Sequence, residues 1–319
     1  MHLVLKKGSY LFFMLFFISL ISFFAIHFAP NSFFGAGELN PNMTPEAIAK
    51  LKAVYGLDKP LLFQYKEWIL HIFTFNFGVS FVSGKDVTNV ILQALPITLF
   101  LNIISLISIF LLSLFLGIKS ALHFEKKQDY VIRQVALFSF ALPSFYLALI
   151  FILLFSVHFE IFPIAGVHSL ETKIGLLYYL DMFWHLTLPL FVMIFGGIGS
   201  MIIYIRSLTL EILKSDYYYF AKSRGLSSKI LLRRYILPNL LPPIVTLLGL
   251  SLPGLIGGSV ILESIFGIEG MGQLFYLSAM SRDYPVIMGI LIIGTFLTLV
   301  GNMLTDILLL KLNPYAKNG

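Results

Sequence analysis

The sequence predicts an all-α, polytopic membrane protein with six spanning helices. Three observations carry that reading: an apolar composition, six runs long enough to cross a bilayer, and an uneven distribution of Lys and Arg between the connecting loops. Of 319 residues, 58% are hydrophobic, 12% are charged and 32 are Phe. A soluble domain of this length would need far more charged surface to stay dissolved. The chain has no cysteine, which excludes disulfides and thiolate metal sites. Its net charge of +6 does not point to nucleic acid, because cationic membrane proteins draw their excess from cytoplasmic loops.

A spanning helix needs roughly 20 mostly apolar residues. Ser9–Ala29, Leu95–Leu122, Gln134–Val157, Phe183–Ile205, Asn239–Leu262 and Pro285–Leu310 qualify. Lys6 and Lys7 precede the first run as they would in a signal peptide. That run is long for such a segment, however, and Ala29-Pro30 is a poor cleavage site, so it is expected to remain as an anchor. Fifteen of the 22 Lys and Arg lie in the N-terminus, the C-terminus, the far end of span two (Lys119) and the segments after spans two and four. The loops after spans three and five hold one each, and five lie in the long first loop, where the rule carries little weight. Both termini are therefore expected on the cytoplasmic side of the cell's inner membrane.

These runs divide the chain into an N-terminal span (1–29), an external loop subdomain (30–94), a core of spans two to six (95–310) and a short cytoplasmic tail (311–319). The first loop is too long for a simple connection. Thr44-Pro45-Glu46 reads as a helix start, Gly56 as a stop, and Leu61–Phe73 as an amphipathic helix. Either a packed lid over the outer mouth or a platform for a partner fits.

A polar, basic island interrupts the core at 206–238. Asp216 is expected to cap a short helix over Tyr217–Arg224, with Gly225 in the left-handed stop position. Ser227 or Ser228 caps a second helix, Lys229–Leu237, with Leu231 and Tyr235 one turn apart, and Pro238 ends it. The expected elbow shows Tyr217, Phe220, Leu231 and Tyr235 inside a rim of Lys222, Arg224, Lys229, Arg233 and Arg234. Aromatics and Arg at a patch centre suit a protein anchor; an amphipathic elbow on lipid phosphates is the alternative.

The pattern Ala221, Gly225 and Tyr235-Ile-Leu-Pro238 resembles the EAA loop of ABC importer permeases, although Tyr219 and Phe220 stand where that motif has Glu and Ala. The wider segment is similar to one branch, the dipeptide, oligopeptide and nickel permeases. Asp216-Tyr217, Ala221-Lys-Ser-Arg-Gly225-Leu226 and Pro238-Asn-Leu-Leu-Pro242 carry that likeness. Along the chain it continues through His27-Phe-Ala-Pro30, Tyr55-Gly-Leu-Asp-Lys-Pro60, Phe77-Gly-Val-Ser80, Leu95-Pro-Ile-Thr98, Leu142-Pro-Ser-Phe145, Glu263-Ser-Ile-Phe-Gly267, Gly270-Met-Gly272 and Arg282-Asp-Tyr-Pro285.

The resemblance implies a type I permease bundle that imports di- or oligopeptides and is not itself an enzyme. Nickel or glutathione-like uptake is the alternative within the family. It further implies two cytoplasmic ATPase subunits carrying ATP and Mg, a second homologous permease and an external substrate-binding protein. This chain itself would bind no cofactor and no nucleic acid. ATPase coupling would fall to Asp216, Tyr217, Phe220, Ala221, Arg224, Gly225, Leu226, Leu231, Tyr235 and Pro238.

Other motifs are weaker. Gly267-Ile-Glu-Gly270-Met-Gly272 follows a span rather than a strand, so it reads as a structural turn, not a phosphate loop. The seven His are scattered in sequence, without metal-ligand spacing. Gly197-Ile-Gly199-Ser200 reads as small-residue helix packing. Glu263, at the outer end of span five, is a pore or gate candidate or an interfacial helix end. Asn102 and Asn302 lie inside spans and need partners, as interhelical glue or pore lining. Pro143, Pro189 and Pro253 are expected to kink their helices. An ion-coupled secondary transporter is the rival reading, but it calls for central carboxylates and inverted repeats, and neither is visible.

Overall fold

The computed structural model of the chain describes residues 59–74, 76–171, 173–251 and 260–312, with scattered positions between 13 and 24. From Leu61 onward the α-helices are α1 (Leu61–Phe73), α2 (Val87–Leu122), α3 (Lys127–Ala141), α4 (Ser144–Phe151), α5 (Leu176–Leu213), α6 (Asp216–Ser223), α7 (Ser228–Leu231), α8 (Leu237–Ser251), α9 (Val260–Ile265), α10 (Met271–Ser281) and α11 (Tyr284–Leu312). Among the described residues, three helices are long and apolar enough to cross a membrane, and a bent pair makes a fourth if counted as one span. Span one, the expected helix start at Thr44, Gly56, Pro253 and the C-terminal tail lie wholly or largely outside the described residues.

The amphipathic helix expected at Leu61–Phe73 forms with those bounds. Its Tyr65 hydroxyl lies 2.8 Å from the Ser19 hydroxyl, so α1 leans on the first apolar segment. The spanning helices overshoot their apolar runs. With 36 residues, α2 is about 54 Å long, well beyond a hydrocarbon core of roughly 30 Å. Its extra turns begin at Asp86, whose carboxylate accepts the Asn89 N–H at 3.2 Å as an N-cap.

The third span departs from expectation. Instead of one helix over Gln134–Val157, α3 and α4 meet at a bend of 98°. Pro143 causes the break: it has no N–H to donate, and it drives Leu142 into extended geometry (φ −88°, ψ 126°). After the bend, α4 widens into a π-helical turn over Ile152–His158. Pro189, by contrast, sits inside a continuous α5. The helix of the fifth apolar run starts before Asn239, at Leu237, and is continuous with the segment before it.

The long helix α5 is the centre of the bundle. Gly117 of α2 lies where a Cβ would meet Ile205 Cβ at 2.9 Å. Gly199 lies where a Cβ would collide with the backbone of Ala136 and Phe140 in α3. These close approaches agree with the small-residue reading of Gly197-Ile-Gly199. They matter because lipid is as apolar as a helix flank, so burial alone cannot bind helix to helix. The outward faces stay apolar and exposed, as at Ile107, Leu111 and Phe115 of α2 and Phe191 of α5, which a bilayer accepts and water would not.

Gly199→Leu should destabilise the bundle by at least about 3 kcal/mol through overpacking. Gly84→Ala, at φ +68° with open space around its Cβ, should cost only about 1 kcal/mol. Thermal unfolding in detergent distinguishes them, and equal effects would contradict the close α3–α5 approach.

Candidate functional site

The elbow hangs directly from α5. Ser215, in extended geometry, precedes α6, and its hydroxyl donates to the Ile212 carbonyl at 2.6 Å. Asp216 therefore occupies the first turn, facing the positive end of the helix dipole, and is not the cap. Along Tyr217-Tyr218-Tyr219-Phe220, the 3.6-residue period buries Tyr218 with Ala221 and leaves Tyr217, Tyr219 and Phe220 exposed. Burial pushes the Tyr218 phenol up from its ordinary pKa. The Arg224 guanidinium lies 5.8 Å from the Phe220 ring centroid, within cation–π range.

Gly225 then reverses the chain at φ +74° with nothing within 4 Å of a Cβ. Backbone conformation, not crowding, calls for glycine here. The second arm differs from the expected Lys229–Leu237 helix. α7 starts after Ser227, which caps without a side-chain bond, and passes through a π-helical turn at Leu232–Ile236 straight into α8. Pro238 does not end it. It sits one residue into α8, just after the widened turn in which the Leu237 N–H reaches the Leu232 carbonyl.

Two of the expected exposed knobs, Leu231 and Tyr235, prove to be anchors. Ala221 and Leu231 are buried, and Tyr235 and Leu226 pack against the same cluster, which joins Phe110 and Ile118 of α2, Ile205 and Ile212 of α5, and Leu240 and Ile244 of α8. The exposed apolar set is Tyr217, Tyr219, Phe220 and Ile230, ringed by exposed Lys222, Arg224, Lys229, Arg233 and Arg234. The i, i+3 spacing of Tyr218 and Ala221 was the available signal for which tyrosine turns inward.

Elsewhere, buried carboxylates join segments distant in sequence. Glu263, 2% exposed, accepts the Gly272 N–H at 2.8 Å, the Gln273 N–H at 3.1 Å and the Thr98 hydroxyl at 3.1 Å. It thus satisfies the N-terminus of α10 and ties it to α2, inside the packing rather than at an interfacial helix end. The Gly267–Gly272 segment is the turn that makes this approach possible: a Cβ on Gly270 would collide with Glu263 and Thr98. Asn102 donates to the Thr98 carbonyl of its own helix at 2.9 Å, not across helices, and Asn302 is half-buried on α11.

Asp283 accepts the Ser80 hydroxyl at 2.5 Å and the Phe81 N–H at 3.0 Å, joining the Phe77–Ser80 and Arg282–Pro285 motifs. Asp181 accepts from the Ser169 N–H at 2.7 Å and Lys173 at 2.6 Å. His168 and His185 both approach it, at 3.5 and 3.8 Å, a convergence that scattered sequence positions conceal. Asp129 accepts both Arg206 Nε at 2.7 Å and Nη2 at 2.8 Å. Among the described residues, no group of three or more His, Cys, Asp or Glu can hold a metal ion.

Residues 111–317 match the family described as "Binding-protein-dependent transport system inner membrane component". Residues 1–102 match its N-terminal counterpart, "Binding-prot-dependent transport system membrane comp, N-term". The oligopeptide transport system permease protein AppB of Bacillus subtilis is 38% identical over 261 residues, covering 82% of each chain. The metal-staphylopine import system permease protein CntB of Staphylococcus aureus is 37% identical over 279 residues, 88% of this chain and 85% of the relative. The dipeptide transport system permease protein DppB of Lactococcus lactis is 32% identical over 315 residues, 98% of both.

Leu231→Ala should destabilise the elbow by about 2–5 kcal/mol. Tyr219→Ala should change stability by less than about 0.5 kcal/mol. Limited proteolysis at the elbow reads the difference, and equal sensitivity would contradict the division into anchors and surface.

Proposed function

This chain belongs to the family of inner-membrane components of binding-protein-dependent transport systems, and we propose that it is one permease subunit of an ATP-driven importer of di- or oligopeptides. It is a transport subunit and not an enzyme; ATP hydrolysis belongs to separate subunits. One observation carries the mechanistic reading: an elbow at Gly225 presents an aromatic patch within a basic rim, one arm joining the spanning helix α5 and the other running directly into the apolar helix α8.

In this reading, Tyr217, Tyr219 and Phe220 insert into a groove of an ATPase subunit, and Asp216 and Arg224 flank the contact. Ala221, Leu226, Leu231 and Tyr235 fix the elbow to α2, α5 and α8, Gly225 sets its angle, and Pro238 lies where the second arm becomes a span. ATP and Mg bound between two ATPase subunits draw them together, and the elbow passes that displacement to α5 and α8. The central path then alternates between inward- and outward-facing states.

The complete bundle has six spans with both termini cytoplasmic, pairs with a second permease, and meets a substrate-binding protein through the external loop. Glu263, with Asn102 and Asn302, belongs to the gate region, Glu263 by holding α10 across the outer end. Peptide is the favoured cargo, after the oligopeptide and dipeptide relatives. A metal chelate such as a nickel complex is the second reading, favoured by the metal-staphylopine relative.

Gly225→Val, which forces a β-branched residue into φ +74°, should strongly reduce ATP-dependent peptide uptake and the stimulation of ATPase activity while leaving membrane insertion intact. Unchanged uptake would count heavily against the coupling role. Replacing Tyr219 and Phe220 together with Ala should weaken co-purification of the ATPase about tenfold or more, and equal recovery would refute the contact surface. Reporters fused near Lys126 or Lys229 should score cytoplasmic, and one near Lys59 external; the reverse pattern would invalidate the orientation.

A further inference from the structure

The bidentate pair Asp129–Arg206 has no place in the contact surface, yet it is one of the most completely enclosed ionic features of the chain. Asp129 is 1% exposed, and the Arg206 side chain is 14% exposed. Besides both Arg206 nitrogens, Asp129 accepts the Ser120 hydroxyl at 2.5 Å and the Glu125 N–H at 3.0 Å. The Arg206 guanidinium also lies 5.4 Å from the Phe124 ring. Four segments therefore meet at one carboxylate: the end of α2, the α2–α3 turn, the start of α3, and the stretch of α5 that leads to the elbow. A buried ion pair is weak evidence of stability, because desolvation offsets most of its attraction. What a fork-to-carboxylate contact supplies in addition is fixed geometry.

We infer that Asp129 and Arg206 are positioning residues that make α3 move with α5, so that displacement of the elbow reaches the bent span. The contacts between α3 and α5 form an antiparallel line. Asp129 pairs with Arg206, Ala136 packs in one cluster with Ile198 and Ile202 beside the Gly199 approach, and the Ser139 hydroxyl bonds to the Phe195 carbonyl. Of these contacts, only the one nearest the elbow is ionic and bidentate. Apolar contacts let one helix slide along another, whereas a bidentate bridge fixes register at the end where force enters. From there α3 turns through 98° at Pro143 into α4, whose Leu147 and Ala148 pack with Leu262 and Phe266 at α9. Glu263 lies on that same short helix, bonded to the N-terminus of α10. The path thus runs from elbow to outer end through named contacts, with Asp129–Arg206 as its first link.

This inference rests on the permease reading, and the test separates the two. The importer is reconstituted in vesicles with its ATPase subunits, partner permease and binding protein, and peptide imported per ATP hydrolysed is measured. Wild-type vesicles without ATP-dependent uptake would overturn the permease reading itself. Given working wild type, the neutral pair Asp129→Asn with Arg206→Gln leaves no unpaired buried charge. It should lower the peptide-to-ATP ratio about tenfold, within the range of coupling between sites, while ATP hydrolysis stays within about twofold of wild type. Arg206→Lys, which keeps the charge without the fork, should give a smaller loss of the ratio. A pair that served only to hold the fold would lower uptake and hydrolysis in proportion to the amount of assembled complex. An unchanged ratio in both variants, or failure of both to assemble, would overturn the inference.

Discussion

Inside a bilayer the hydrophobic effect cannot tell one helix partner from another, because lipid tails are as apolar as the flanks they would replace. Specific assembly must come from close backbone approach and from polar groups that have nowhere else to go. Four carboxylates answer that constraint here: Asp129, Asp181, Glu263 and Asp283, all at most 6% exposed. Each is engaged with donors from another part of the chain. An uncompensated carboxylate in such surroundings costs several kcal/mol, so each contact is strongly specified. Glycine does the complementary work along the helix flanks, where Gly117 and Gly199 bring α2 and α3 against α5.

The same constraint explains why the elbow is built differently. Near the aqueous boundary, burial of apolar side chains again gains free energy, and Tyr218, Ala221, Leu231 and Ile236 form an ordinary hydrophobic anchor with the ends of α2, α5 and α8. The elbow's exposed aromatic side is then free of structural duties, apart from the cation–π contact of Arg224 with Phe220. A rigid anchor on one side and an unburied aromatic patch on the other is the arrangement expected of a surface that must transmit load to the bundle without being absorbed in local deformation. The continuous passage from Leu231 through the π-helical turn into α8 serves that purpose on the second arm, as α5 does on the first.

What the sequence revealed follows from which signals are local. Composition and apolar runs indicated the helical membrane class. Amphipathic periodicity indicated the bounds of Leu61–Phe73, and turn chemistry the left-handed Gly225. Proline chemistry marked Pro143 as a kink, but the size of the bend depends on where α4 finds packing partners, and that is tertiary information. Pro189 and Pro238 carry the same local signal yet stay within continuous helix, because neighbouring helices and the widened turn accommodate them. The Asp129–Arg206 pair lies 77 positions apart in sequence and Ser80–Asp283 203 apart, so no spacing rule finds them. Leu231 and Tyr235 read as exposed knobs because an isolated elbow has no inside. Only the ends of α2, α5 and α8 decide which of its faces is covered.

The claim on which the account turns is that the aromatic face of α6 touches the energy-consuming partner. The chain contains no cysteine, so a single Cys in place of Tyr219 gives an unambiguous probe for short cross-linkers in the assembled importer. The account predicts a cross-link to the ATPase subunit whose yield changes when ATP binds, and none from a Cys at Ile164 in the loop after α4. Absence of any ATPase adduct from position 219, with uptake intact, would contradict it.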